Sequence, residues 1–257
     1  MKQQVDFAMG KPGLEGQLLI EEADTAAFYG RLEKARMFSA QAVASVLRAE
    51  EKETAAGYEV DAALREALFG NRDDAKRRVA SALELSSGRD VLYGCALTLS
   101  LSGDSARALE LVSDLGKRFP EDTVVQYNYL PTLQAELALN RKEATEAISK
   151  LQIAAPYELA MSFIGPYVVY VRGVAFLNAN RSSEAIVEFQ KILDHRGLVS
   201  NTPMGALAYL QIGRAYAMQG DTAKAKAAYQ DFLTLWKDAD PDIPILTAAK
   251  AEYAKLH

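Results

Sequence analysis

The chain has very few of the residues from which metal and thiol chemistry is built. Its 257 residues include one cysteine, two histidines and one tryptophan. The single Cys95 cannot close an intramolecular disulfide, and two histidines, one of them the terminal His257, cannot build a typical zinc site. We therefore expect no metal site and no cofactor, and we expect Cys95 to be a small buried side chain.

A strong excess of one charge and a long apolar run are also missing. The 29 basic and 34 acidic side chains give a net charge of −5, which argues against a nucleic-acid-binding face. The longest apolar run, residues 160–171, is far shorter than a membrane span, and no secretory leader pattern opens the chain. These patterns predict a cytoplasmic protein without direct membrane insertion, or alternatively the extracytoplasmic part of a membrane-anchored parent.

Glycine and proline are scarce, at 16 and 8 residues, and alanine is abundant, which favours helices. Short turn signatures recur along the chain, each followed four or five residues later by an alanine. Successive alanines of this set are 33 to 40 residues apart. The six turns and their alanines are Gly30-Arg31 with Ala35, Gly70-Asn71 with Ala75, Gly103-Asp104 with Ala108, Lys142-Glu143 with Ala147, Asn180-Arg181 with Ala185, and Gly220-Asp221 with Ala225.

Small and bulky residues alternate within these units as antiparallel helix pairs require. In the last unit Gly213 allows close helix approach, and Tyr216, Tyr229 and Phe232 supply bulk. The pattern resembles the tetratricopeptide repeat (TPR). The expected fold is all-α, a right-handed superhelical solenoid of about six antiparallel helix pairs plus a C-terminal capping helix. An unrelated helical bundle is the alternative.

The repeat divides the chain into one expected TPR-like helical repeat domain, residues 1–257. A capping helix is expected at 244–256, and residues 1–13 are expected to be the remnant of a preceding repeat. The expected units lie near 16–55, 56–88, 89–127, 128–165, 166–205 and 206–240.

Four separated stretches resemble one known group of proteins. They are FQKILDHRGL at 189–198, AAPYEL at 154–159, GKPG at 10–13 and LWKDADPDIP at 235–244. Together they resemble the C-terminal TPR region of acidobacterial-type bacterial serine/threonine protein kinases. The resemblance implies a bacterial parent whose kinase domain precedes the repeats. Similar arrays also follow the DNA-binding domains of winged-helix transcription regulators, so that parent remains an alternative.

Catalytic motifs are not recognisable in the sequence. Asp194-His195-Arg196-Gly197 superficially resembles a kinase catalytic loop, but Gly197 stands where the catalytic base belongs. We therefore expect no enzymatic activity from this segment, although the full-length parent is expected to be a serine/threonine kinase. An enzyme hidden in the groove would depend on Glu136, Tyr129 and Arg214, the only plausible cluster.

A partner is expected in the concave groove lined by the first helix of each unit. Tyrosine dominates these positions and suits a peptide groove, although the same side chains could pack between units. The candidate partner-binding residues are Tyr93, Tyr129, Thr132, Glu136, Asn140, Tyr167, Tyr170, Asn178 and Arg214.

Some TPR proteins hold the C-terminal carboxylates of chaperones through lysine and asparagine. The matching positions here carry Ile20, Asp24, Val60 and Leu64, so we do not expect a chaperone-tail receptor. The sequence predicts a non-catalytic scaffold for a protein or peptide ligand, the interaction region of a larger kinase-like protein. Homo-oligomerisation through the N-terminal end, where Phe7 lies, is a further alternative.

Overall fold

The computed structural model describes residue 7 and residues 10–11, 14–159 and 166–256. The described residues form fourteen α-helices and no strand. In chain order the helices are α1 (Leu14–Phe28), α2 (Leu32–Arg48), α3 (Lys52–Phe69), α4 (Arg72–Leu85), α5 (Arg89–Leu101), α6 (Ser105–Arg118), α7 (Leu130–Asn140), α8 (Ala144–Leu151), α9 (Tyr167–Asn178), α10 (Ser182–Asp194), α11 (Arg196–Val199), α12 (Pro203–Met218), α13 (Thr222–Leu235) and α14 (Pro244–Ala254).

Twelve of these helices form six consecutive pairs, and the partners in each pair pack directly on each other. The pairs are α1/α2, α3/α4, α5/α6, α7/α8, α9/α10 and α12/α13. Each pair also contacts the next pair along the chain. The expected all-α stack of helix pairs is therefore confirmed.

The turn between the two helices of a pair has the same geometry in all six pairs. Its first residue has a positive φ of 58° to 94°, a region that glycine enters at little cost. Two backbone hydrogen bonds close each turn; in the first pair they run from Gly30 N–H to the Ala27 carbonyl and from Arg31 N–H to the Ala26 carbonyl. The six residues with positive φ are those that the sequence signatures mark, namely Gly30, Gly70, Gly103, Lys142, Asn180 and Gly220.

The alanine that follows each turn lies in the first turn of the second helix and is at most 1% exposed. Its N–H donates to the carbonyl of the second turn residue, as from Ala225 to Asp221 at 2.9 Å. Because the side chain is a single methyl group, the two helices of the pair can approach closely at this point.

Glycine allows two pairs to pack an aromatic ring against the backbone of the first helix. A Cβ placed on Gly173 would lie 2.6 Å from Cζ of Phe189, and one on Gly213 would lie 2.9 Å from Cδ2 of Tyr229. Both rings are buried. The role expected for Gly213 from the sequence is therefore present in the structure.

The first helix of the third pair, α5, is surrounded by other helices rather than lying on the surface. In α5 every residue from 91 to 100 is buried, and Cys95 is fully inaccessible, as expected. Burial raises the pKa of the Cys95 thiol to about 12, so the group stays protonated at neutral pH. A helix buried on all sides needs no polar face, which explains the uncharged run in α5.

Pro131 lies at the start of α7, as the sequence requires of a residue that has no N–H to donate. The preceding residues, Val125–Tyr129, form a π-helical turn that leads directly into α7. This wider turn carries the chain into the helix and places Tyr129 in the interior.

The two ends of the stack meet, so the six pairs form a closed ring. Helix α12 of the last pair packs on α1 of the first pair. The indole N–H of Trp236 donates to the Phe28 carbonyl at 2.9 Å, and the N–H of Asp240 donates to the Gly30 carbonyl at 3.0 Å. We use the term ring for helices α1 to α13 together with the closing contacts of Trp236.

Polar and apolar contacts from the C-terminal segment complete the closure. The Asp240 carboxylate accepts from the N–H of Glu33 at 2.8 Å and so caps the first turn of α2, whose own preceding residue provides no side-chain cap. Trp236 packs edge-on against Phe69, with ring centroids 5.0 Å apart. Helix α14, at the position expected for a capping helix, lies against both α13 and α3.

The expected remnant of a preceding repeat, residues 1–13, lies largely outside the described residues. Phe7 is 70% exposed, and the Lys11 ammonium sits 3.2 Å above its ring centroid. Since α1 is covered by α12 of the same chain, its far face is already occupied. Self-association through the N-terminal end stays a prediction.

Candidate functional site

A cavity of about 700 Å³ lies where the first and last pairs of the ring meet the middle pairs. Its wall draws on α1, α3, the start of α5, the start of α9, and the segment from α11 to the start of α12. We call it the central cavity. Because α1 and α12 both contribute, the cavity exists in this form only while the ring is closed.

Exposed acids surround the mouth of the central cavity, and buried groups form its floor. Glu21, Glu51 and Glu53 line it and are exposed to solvent. Val60 and Tyr167 line it and are buried. A ligand entering the cavity would therefore pass carboxylates before it reached apolar and aromatic side chains.

Of two neighbouring carboxylates in the cavity, Asp24 and Asp61, only Asp24 is paired with a guanidinium group. Arg65 is 3% exposed, pairs with Asp24, and donates to Ser39 Oγ at 2.6 Å. Asp61, one helical turn before Arg65 on α3, has no hydrogen bond or ion pair among the described residues. Burial, together with the nearby Asp24 and Glu21 carboxylates, raises the pKa of Asp61 to about 7.

Two tyrosines in the cavity wall have hydroxyl groups that bond to none of the described residues. Tyr58 is 7% exposed and Tyr167 is 4% exposed, and neither makes a hydrogen bond to a described residue. Burial and the neighbouring Asp61 carboxylate raise the pKa of Tyr58 to about 12 and hold that of Tyr167 well above its usual value. Both phenols are therefore neutral and able to donate or accept a hydrogen bond.

The tyrosines predicted for the groove mainly join neighbouring pairs. Tyr93 and Tyr129 stack with ring centroids 3.8 Å apart, and the Tyr129 hydroxyl donates to Asp90 at 2.8 Å. The Tyr170 hydroxyl accepts from Gln211 Nε2 at 3.0 Å. All three tyrosines are buried. Of the nine residues predicted to bind a partner, Tyr167 alone lines the central cavity.

The remaining predicted positions also have partners inside the chain or lie buried. Thr132 is buried and donates to the Asn128 carbonyl. Asn140, in the fourth pair, donates to the Ser100 carbonyl of the third pair at 2.8 Å, and Asn178 donates within its own helix. These two asparagines are exposed. Partner binding by the nine residues stays a prediction.

The three residues considered for a hidden enzyme site make their hydrogen bonds and ion pairs with other residues, or make none. Tyr129 bonds to Asp90, while Arg214 forms a two-point ion pair with Glu252 at 2.8 and 2.9 Å. Glu136 is 7% exposed and has no hydrogen bond among the described residues. Thus no hydrogen bond or ion pair links the three.

Among the described residues, no group of three histidine, cysteine, aspartate or glutamate side chains is placed to hold a metal ion. Within the same ranges, none of the helices combines the length and the apolar composition needed to cross a bilayer.

Comparison with known proteins yields one family match. Residues 207–239, which cover α12 from its fifth residue and α13, match the tetratricopeptide repeat family. The fold is TPR-like. A crystal structure of the P58(IPK) TPR domain is similar at 15% identity, with a TM-score of 0.35, over 94% of this chain and 79% of that one. No curated protein matches.

The sequence predicted which residues of the first two TPR-like units point inward, but it did not predict that they line a cavity. Ile20, Asp24, Val60 and Leu64 all line the central cavity. Asp61 is not among the residues predicted from the sequence, since the clamp positions on α3 are Val60 and Leu64. A usable signal was present, since a charged residue among the buried positions of α3 needs an ion-pair partner, solvent or a polar cavity.

Proposed function

We propose that this chain is a non-catalytic scaffold that binds a protein or peptide. The observation that carries the proposal is the same turn geometry in six consecutive helix pairs, one of which matches the TPR family. Such repeats present extended surfaces to other proteins rather than reactive groups. The central cavity, with its exposed acidic mouth, is the concave feature available to a partner.

We further propose that the scaffold is the interaction region of a larger bacterial serine/threonine-kinase-like protein. The four stretches that resemble the TPR regions of such kinases support this parent. A kinase domain encoded upstream in the same reading frame would agree with it. A winged-helix domain in that place would replace it with a transcription regulator.

A photo-crosslinking amino acid at Gln17 tests the scaffold proposal. Gln17 is exposed and lines the central cavity. Gln41 is an equally exposed glutamine on α2 outside the cavity and serves as the matched control. We expect illumination in the source cells to join a discrete protein to position 17 and not to position 41.

The two positions also show how the proposal fails. Adducts at position 41 alone would move the interface to the second helices of the pairs. Adducts with the chain itself would identify a homo-oligomer. If neither position yields a protein adduct, the scaffold proposal is contradicted.

A further inference from the structure

The central cavity has a surplus of negative charge that the contacts within the chain leave uncompensated. Its described lining includes one basic side chain, Arg65, which is already paired with Asp24. Asp61, Glu21 and Glu51 have no ion pair among the described residues. Of the seven acids in the lining, Asp24, Asp90 and Glu158 are ion-paired and Glu53 accepts from Ser86, which leaves Glu21, Glu51 and Asp61 as the surplus.

We propose that the central cavity binds an alkylammonium group, with Asp61 as its main counter-ion and the hydroxyls of Tyr58 and Tyr167 as further hydrogen-bond partners. The group could belong to a lysine side chain of a protein or to a free aliphatic diamine. The lysine form rests on the proposed function, whereas the diamine form does not.

The two tyrosine hydroxyls give independent support beyond the charge. Both side chains are more than nine-tenths buried, line the cavity and lack a hydrogen-bond partner in the described chain. Neither hydroxyl oxygen is among the fully inaccessible polar atoms without a partner in the described chain, so both are open to the cavity and available to a ligand that donates a hydrogen bond. An ammonium group carries three N–H donors, enough for Asp61 and both hydroxyls.

The apolar part of the wall favours an organic cation over a bare metal ion. Ile20, Val60, Leu64 and Val91 lie among the acids and suit the methylene groups of an alkyl chain. A metal ion would need several carboxylates close together, and the described residues do not provide such a group. A buried ring such as Tyr58 also attracts a cation through its face.

Isothermal titration calorimetry on the full chain tests the proposal with defined probes. The probes are 1,5-diaminopentane, Nα-acetyl-lysine methylamide, its Nε-trimethyl analogue and its Nε-acetyl analogue. We expect saturable binding of at least one primary amine. We expect weaker binding of the trimethyl analogue, which keeps the charge without N–H donors, and no binding of the neutral acetyl analogue.

Substitutions in the cavity assign the contacts. We expect Asp61→Asn to weaken amine binding by at least about tenfold, because it removes the counter-ion from a buried charge pair. Tyr58→Phe and Tyr167→Phe should each weaken it by about three- to tenfold. Glu59→Gln is the matched control: it removes one negative charge two residues before Asp61, from a side chain that pairs with Arg78 and does not line the cavity.

A loss of amine binding by Asp61→Asn should not result from unfolding, because the substitution neutralises a carboxylate that is costly to bury. Circular dichroism should show unchanged helix content. Absence of binding by every amine, or equal weakening by Asp61→Asn and Glu59→Gln, would overturn the proposal. Preference for the lysine amide indicates a protein side chain, and preference for the diamine a free metabolite. Amine binding without crosslinks at either Gln17 or Gln41 would keep this site and contradict the scaffold proposal.

Discussion

Replacing Trp236 by alanine is expected to lower the free energy of unfolding by about 3–5 kcal/mol and to open the ring. Trp236 is 2% exposed, packs on Phe69 and Phe232, and donates its indole N–H to the Phe28 carbonyl. The substitution removes contacts to both ends of the stack at once. Chemical denaturation followed by far-ultraviolet circular dichroism measures the loss.

Leu115→Ala separates ring opening from simple loss of stability. Leu115 is fully buried within the third pair and does not line the central cavity. Its truncation should cost about 2–5 kcal/mol while leaving amine binding intact. Under conditions in which both variants remain helical, Trp236→Ala should lose amine binding. If it binds amines as well as Leu115→Ala does, the cavity does not depend on ring closure.

Replacing Glu136 by glutamine is expected to stabilise the protein above neutral pH. Burial raises the pKa of Glu136 to about 7 from an ordinary value of 4.5. The folded chain therefore holds a proton that the unfolded chain releases, and this contribution to stability is full below pH 4.5 and lost as the pH rises through 7. The gain for the variant at pH 8 should approach about 3 kcal/mol.

The pH dependence is what distinguishes this effect from a general improvement in packing. Below pH 4.5 both side chains are neutral, so Glu136→Gln should match the original chain there. Glu110→Gln removes an exposed carboxylate and should change stability by less than about 0.5 kcal/mol at either pH. Equal stability of Glu136→Gln and the original chain at pH 8 would show that Glu136 is solvated or paired.

Local patterns in the sequence predicted the helix pairs. Turn residues such as Gly70 and Lys142 mark the change of chain direction, and the alanine after each turn marks where two helices meet. The packing of Gly213 was also predicted, because a glycine opposite a bulky residue signals close approach. These features depend on residues near one another in the chain.

Ring closure and the central cavity could not be predicted in this way. The bonds from Trp236 to Phe28 and from Asp240 to Glu33 join residues more than 200 positions apart, and no periodicity relates them. The burial of Tyr93 also depends on packing between pairs: the residue predicted to line a groove instead stacks on Tyr129 of the neighbouring pair.

Distances between spin labels at equivalent positions test the ring most directly. Met37, Val187 and Ala227 each lie two residues after a repeat alanine, in the first, fifth and last pairs, and all three are exposed. Cysteines there can be labelled without reaction at the buried Cys95. A closed ring predicts a narrow distribution of the 37–227 distance, because α1 and α12 hold the first and last pairs together. A 37–227 distance that is broad and much longer than the 187–227 distance between adjacent pairs would contradict it.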